Sequence, residues 1–295
     1  MRTIRYGTGI AVCVLALALA VLLIHLTTTS DEFGRYNPEW NGTSSFFDAF
    51  DRHKVTEIPD PARLAGYTNT TLLVIAPEKN FSSQDLREYK DYISRGNTLV
   101  LLDDFSDGNK LLKGIGSSIE ILPGDLSSVD RAYNSPYLIV ASASGPSTAS
   151  SSGQGLVFDK AAAVSGGEPR LTTSLISWLD DKSAAPSPTA KKLLGRYTVA
   201  VHENLGKGDI YVISDPSIVI NGMQGADAAS APQQYIQNLA VGKRILLIDA
   251  YSSRAFQVNG IREIFQEVQT RTEYKVIVAA AILGILGLAW RRKIQ

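Results

Sequence analysis

Cysteine is almost missing from this chain. Of 295 residues only Cys13 is one. That excludes a disulfide framework and a cysteine-rich metal centre. Cys13 sits inside an apolar run, where it reads as a small apolar filler, so the rest of the chain has no cysteine nucleophile. Histidine is scarce too, at three residues. His53 falls in a segment read as a surface helix, and His202 in a turn beside Glu203, read as a solvated hairpin rather than a base pair. Net charge is absent: 29 Lys and Arg balance 29 Asp and Glu. A nucleic-acid binder needs surplus cations on one face, so nucleic acid is not expected as a partner. The Gly-x-Ser-x-Gly elbow, the Gly-x-x-x-x-Gly-Lys loop and the His-Glu-x-x-His motif do not occur, which removes three common routes to hydrolysis and phosphoryl transfer. There is no internal repeat.

What is present begins with two apolar runs. Residues 10–26 read IAVCVLALALAVLLIHL without a formal charge. Seventeen residues at helical rise span roughly 25 Å, the low end for a bilayer. The run is longer than the core of a secretory signal peptide, and His25-Leu26-Thr27-Thr28-Thr29 makes a poor cleavage site, so an uncleaved signal-anchor is expected. The second run, 274–290, is closed by Trp290, then Arg291, Arg292 and Lys293. Arg2 and Arg5 precede the first run. The positive-inside rule then places both termini in the cytoplasm. The expected layout is a cytoplasmic tip 1–9, a transmembrane helix 10–26, an extracytoplasmic domain 27–273, a transmembrane helix 274–290 and a second cytoplasmic tip 291–295. The chain is thus expected in the cell membrane, with the lipid bilayer as a partner. Setting aside the five flanking cations leaves 24 basic residues against 29 acidic ones, a net of −5 outside. Sequons at Asn41, Asn69 and Asn80 fit glycosylation of an exported chain.

Between the runs, short apolar stretches alternate with helical ones. The run TLLVIAP from Thr71 reads as a buried strand ended by proline. Leu86, Tyr89 and Ile93 recur at helical spacing across 83–94, and Thr98–Leu102 follows as a second buried strand after an Arg-Gly-Asn turn. Further strands are expected at 137–140, 197–201, 209–213 and 244–248, with helices over 43–50, 109–112, 233–241 and 258–270. The pair 197–201 and 209–213 reads as a hairpin, since the Glu203–Gly208 turn is too short for a helix. Stretches 141–155, 183–190 and 222–232, rich in small residues, read as loops. Strands separated by helices imply an α/β domain: a flavodoxin-like, mostly parallel central sheet with helices on both faces, flanked by the two transmembrane helices.

In open parallel sheets ligands meet the carboxyl ends of the strands. Polar residues follow several of these strands, so the candidate ligand-binding residues are Asn37, Thr43, Asp103, Asp104, Asp215 and Asn221. Thr43 is read as a helix cap. The same carboxylates offer oxygen ligands for Mg²⁺ or Ca²⁺, although no cofactor is required by any motif. Singly, each Asp or Asn also reads as a cap or Asx-turn residue.

Asn37-Pro38, Gly42-Thr43-Ser44, LLVIAP, YISRGNTLVLLDDFSDGN and VISDPSIVIN together resemble the domain-of-unknown-function 4350 family over roughly 30–221. The resemblance implies the class I glutamine amidotransferase-like, flavodoxin-like superfold. It also implies flanking membrane helices and the neighbourhood of MoxR-type AAA ATPases or transporter components. No activity comes with it, and the amidotransferase cysteine is missing. The expected function is therefore a membrane-anchored, non-enzymatic extracytoplasmic binding or accessory module beside a membrane complex. The alternatives are a metal-dependent hydrolase using Asp103, Asp104 and Asp215, and a structural envelope protein.

Overall fold

The computed structural model describes residues 31–254 apart from 49, 51–54, 79, 106, 131–134, 145–154, 181–192, 224–233, 237 and 240–244. These belong to one compact unit, Ser30–Phe256. Chain order is α1 (Ser44–Asp48), β1 (Val55–Ile58), β2 (Thr70–Ile75), α2 (Ser83–Ser94), β3 (Thr98–Leu102), α3 (Gly108–Ile115), β4 (Glu120–Ile121), β5 (Asp125–Ser128), β6 (Leu138–Ala143), β7 (Leu156–Asp159), β8 (Val164–Ser165), β9 (Glu168–Thr173), β10 (Ser177–Asp180), β11 (Thr198–Leu205), β12 (Gly208–Ile213) and β13 (Ile245–Asp249).

The main sheet has nine strands in the order β1-β13-β2-β3-β12-β11-β9-β6-β7. From β1 to β12 every pairing is parallel. From β12 to β7 every pairing is antiparallel. Two small antiparallel sheets, β5–β10 and β4–β8, add to the second half. The parallel half follows from sequence. β2 and β3 are apolar runs with every residue buried, as strands covered on both faces require. Leu72, Val74, Leu99, Leu101, Ile210, Val212 and Leu247 present one face to Tyr89, Tyr92 and Ile93 of α2 and to Leu111, Leu112 and Ile115 of α3. Ser82 and Asp85 close a capping box at the start of α2, and Gly116 ends α3 in the left-handed region with φ 86°.

This architecture corrects the flavodoxin-like expectation. Antiparallel pairings outnumber parallel ones six to four. The two longer described helices, α2 and α3, pack on the same face of the sheet, so a mostly parallel sheet with helices on both faces does not describe the molecule. The reason lies in strands such as β5 (DLSS), β9 (EPRLTT) and β10 (SWLD). They carry few apolar residues and pair with strands distant in sequence, so periodicity alone does not mark them.

The membrane topology is corrected as well. Among the described residues no helix is long and apolar enough to cross a membrane. The apolar runs 10–26 and 274–290, and their flanking arginines, lie outside the described residues. The cell-membrane location with both termini cytoplasmic and the domain extracytoplasmic is therefore not supported. His53, Cys13, the stretch 183–190 and the expected helix 258–270 also lie outside the described residues.

Candidate functional site at the carboxyl edge

The parallel half aligns the carboxyl ends of β1, β13, β2, β3 and β12 along one edge, and the loops that leave them hold the sequence-derived candidates. Asp103 directly follows β3 and is fully buried. Its Oδ1 accepts from the Phe105 N–H at 3.1 Å and its Oδ2 from the Gly108 N–H at 2.7 Å. Burial pushes its carboxyl up to about 6, against the pull of those two bonds. Asp215 follows β12 in the same way. Its oxygens accept from the Ser217 N–H and, across the sheet, from the Asp159 N–H, each at 2.7 Å. Burial, then the negative charge of Asp104, drive its carboxyl well upward. Asp249 ends β13 and accepts from the hydroxyls of Tyr89 and Ser252 and from the N–H groups of Tyr251 and Ser252. Three buried carboxylates thus spend their lone pairs on loop backbone and hydroxyl donors.

Asn37 and Asn221 are brought together from 184 positions apart. Asn221 Nδ2 donates to the carbonyls of Asn37 at 2.9 Å and Glu39 at 2.7 Å. Its Oδ1 accepts from the Ser45 N–H at 3.0 Å. The acceptor at the start of α1 is therefore Asn221, not Thr43. The buried Thr43 hydroxyl donates instead to the Phe33 carbonyl at 2.8 Å. Asn37 is itself fully buried, donating to Asp31 O and Asn41 Oδ1 and accepting from Glu39 N–H. Of the sequon asparagines, Asn69 and Asn80 are exposed, whereas Asn41 is half-buried.

Residues 31–43 therefore run across the whole edge. Glu32 reaches Arg254 beyond β13 at 3.4 Å. Arg35 and Tyr36 both donate to Glu57 of β1, at 2.8 and 3.1 Å. Asn37, Glu39, Trp40 and Gly42 meet Asn221 and Gly222 beyond β12. Sequence reasoning missed three members of this edge. Arg254 pairs with Glu78 at 2.6 Å and lies 4.5 Å from the Phe105 ring centre. Phe105 itself is 50% exposed, and Trp40 is 70% exposed. The sequence signal exists for Phe105, an aromatic next to the strand-end pair Asp103-Asp104.

The six candidates do not meet in a single cluster. Asp103 and Asp215 hold loops after neighbouring strands, while Asn37, Thr43 and Asn221 hold the segment that crosses them. Among the described residues no group of three or more His, Cys, Asp or Glu is placed to hold a metal ion.

Elsewhere, His202 is buried rather than solvated. It lies between Asp209 Oδ1 at 2.9 Å from Nε2 and Arg170 at 3.0 Å from Nδ1, and packs on Tyr211. Neighbouring Glu203 receives the hydroxyls of Ser117 and Ser118.

A family model described as a domain of unknown function (DUF4350) matches residues 35–239. Curated protein sequences give no match. Among solved structures, the mmIFT52 N-terminal domain is similar at 15% identity and a TM-score of 0.47, over 63% of this chain and 82% of that one. A cytoplasmic protein from Salmonella typhimurium LT2 is similar at 10% identity and a TM-score of 0.34, over 63% of this chain and 78% of that one. A beta-galactosidase from Bacillus circulans sp. alkalophilus is similar at 9% identity and a TM-score of 0.33, over 57% of this chain but only 22% of the enzyme.

Proposed function

We propose, on the premise that the chain belongs to the DUF4350 family, that it is a non-enzymatic binding or accessory module whose carboxyl edge receives a macromolecular partner. One observation carries this reading. The polar side chains that an enzyme would turn toward a substrate are consumed in fixing loops; Asp103 so holds the loop that turns Phe105 to solvent, and Trp40 stands exposed on the segment tied to Asn221 and Gly222. Exposed aromatics supply large contact area, and such residues dominate interface energetics.

The test places a photo-activated cross-linking residue at position 105 of the full-length protein in its host, with position 120, on exposed Glu120, as control. Capture of a discrete partner from 105 and not from 120 supports the reading. No capture from 105, or equal capture from both, sinks it. The competing hydrolase reading at Asp103, Asp104 and Asp215 is tested alongside. A bound metal stabilises the folded state by mass action, so a rise in melting temperature with millimolar Mg²⁺ or Ca²⁺ that disappears in Asp104→Asn favours hydrolysis. An unchanged melting temperature favours the binding module.

A further inference from the structure

We infer that residues 31–43 form a strap that opens as one body from the carboxyl edge, latched by Asn221 and Gly222, and that its opening controls access to the part of the proposed binding face that it covers, the loop after β12. The inference concerns regulation of that face and so rests in part on the binding reading above.

The strap is closed on itself. Phe33 N–H donates to Asn41 O at 2.8 Å and Thr43 N–H to Gly34 O at 3.0 Å, which joins its two ends. The Thr43 hydroxyl and the Asn37 side chain fill the interior with further bonds inside the segment. These bonds survive when the segment moves as a unit. Its ties to the rest of the edge are of another kind. They include polar ties at three places, Glu32 to Arg254, Arg35 and Tyr36 to Glu57, and the latch, besides Arg35 stacked 5.5 Å over the Phe47 ring and the Phe47 N–H donating to Thr43 O.

The latch is the densest of the three. Asn221 N–H donates to Gly42 O and Gly222 N–H to Trp40 O, each at 2.7 Å, and Asn221 Nδ2 donates to Asn37 O and Glu39 O. The fit is tight, since a Cβ on Gly222 would stand 3.0 Å from Trp40 O. Apolar anchorage is slight. Phe33 is the one large hydrophobic side chain that the segment buries, and it sits at φ 59°, a conformation that a bulky residue adopts only under constraint. Segments with few buried apolar contacts and polar ties occupy the low end of local opening free energies. Water replaces each broken polar tie, whereas nothing replaces lost apolar burial.

What opening changes is set by the anchors. Arg254, released from Glu32, retains Glu78 and the Phe105 ring, and the loop after β12 loses its cover. Trp40 at the strap tip stands 70% exposed, within reach of a partner while the strap is shut.

The experiment is amide hydrogen exchange on the full-length protein, wild type against Asn221→Asp, which keeps the acceptor for Ser45 N–H and removes the Nδ2 donations to Asn37 O, Glu39 O and Ser44 Oγ. In the wild type, the amides of Asn221 and Gly222, whose bonds break when the latch opens, are expected to exchange together and faster than those of Leu72, Leu101 and Val212, and faster than those of Phe33 and Thr43, whose bonds lie within the strap. In N221D the amides of residues 221 and 222 are expected to exchange at least tenfold faster with the sheet amides unchanged. Cross-linking from position 105 is expected to rise in the same variant. Glu57→Gln, which weakens a different anchor, gives the same reading if N221D fails to fold. Latch amides that exchange only together with the sheet overturn the strap. Faster latch exchange without increased capture overturns its control of access. Absence of capture from 105 in both proteins defeats the binding reading and access control with it, while exchange still decides whether the strap opens.

Discussion

Burial at the end of β3 raises the Asp103 carboxyl to about 6, so the folded chain holds that proton more tightly than the unfolded chain does. Where the native state binds more protons, stability falls as pH rises. The contribution is therefore fully present below the ordinary carboxylate value of 3.8 and is lost as pH climbs through about 6. Asp215 and Asp249, raised mainly by burial, act in the same direction. At roughly 1.4 kcal/mol per unit, the Asp103 shift alone is on the order of 3 kcal/mol. Asp103→Asn keeps an acceptor for one of the two N–H donors and loses the other bond. It is expected to cost about 1 kcal/mol at pH 4 and to flatten the decline of stability between pH 4 and 7. Urea unfolding across that range checks this, and an equally steep decline in the variant refutes it. Glu203 runs the other way. Burial alone would raise it, but the hydrogen bonds from Ser117 and Ser118 outweigh burial and hold it below the usual value. Glu203→Gln is thus expected to lose stability above pH 5 and none below pH 3.

At the scale of elements, α2 shows how local chemistry and packing agree. Its capping box satisfies two otherwise unpaired backbone donors, and Tyr89, Tyr92 and Ile93 point into the core. Ser82→Ala should cost about 1 kcal/mol, the usual worth of a helix cap, in denaturant unfolding. The turn between α2 and β3 is constrained far more severely by the strand beside it. A Cβ on Gly208 would stand 2.1 Å from Ile93 O and 2.2 Å from Asn97 O, both backbone atoms. Gly208→Ala is therefore expected to destabilise by about 3 kcal/mol, the upper part of the range for forced overpacking. A loss under 1 kcal/mol would show that the turn can yield. The span of α2 and that of β3 were readable because apolar spacing, cap and turn residues agree there. β5, β9 and β10 were not, since their few apolar side chains carry no periodic signal and their partners lie far along the chain, β5 and β10 in a two-stranded sheet and β9 in the antiparallel half of the main one. The cap of α1 was misread for a related reason: Thr43 has the right chemistry in the right place, but the donor at Ser45 is taken by a residue 176 positions away.

For the molecule as a whole, the decisive event is the insertion of β13 between β1 and β2. The last described strand completes the first part of the sheet, so chain closure comes late. Leu247, fully buried in the main core, makes this testable. Leu247→Ala is expected to destabilise by about 3 kcal/mol, within the range for buried leucine, and a chain ending at 240 is expected to lose cooperative thermal unfolding. Retention of a sharp transition in that truncation would show that β1 and β2 stand without β13.

The amino-acid sequence by itself determined the buried parallel strands, the helix over 83–94, the hairpin joining β11 to β12 and membership of a family without an assigned activity. Those features depend on residues near one another in the chain, where spacing and turn chemistry suffice. Only the tertiary structure decided that half of the great sheet is antiparallel, that Asn221 rather than Thr43 serves α1, and that the strand-end carboxylates bind their own loops. Each of these turns on which distant groups become neighbours. A hydrogen bond between residues nearly two hundred positions apart leaves no local pattern, because its geometry exists only once the sheet has closed.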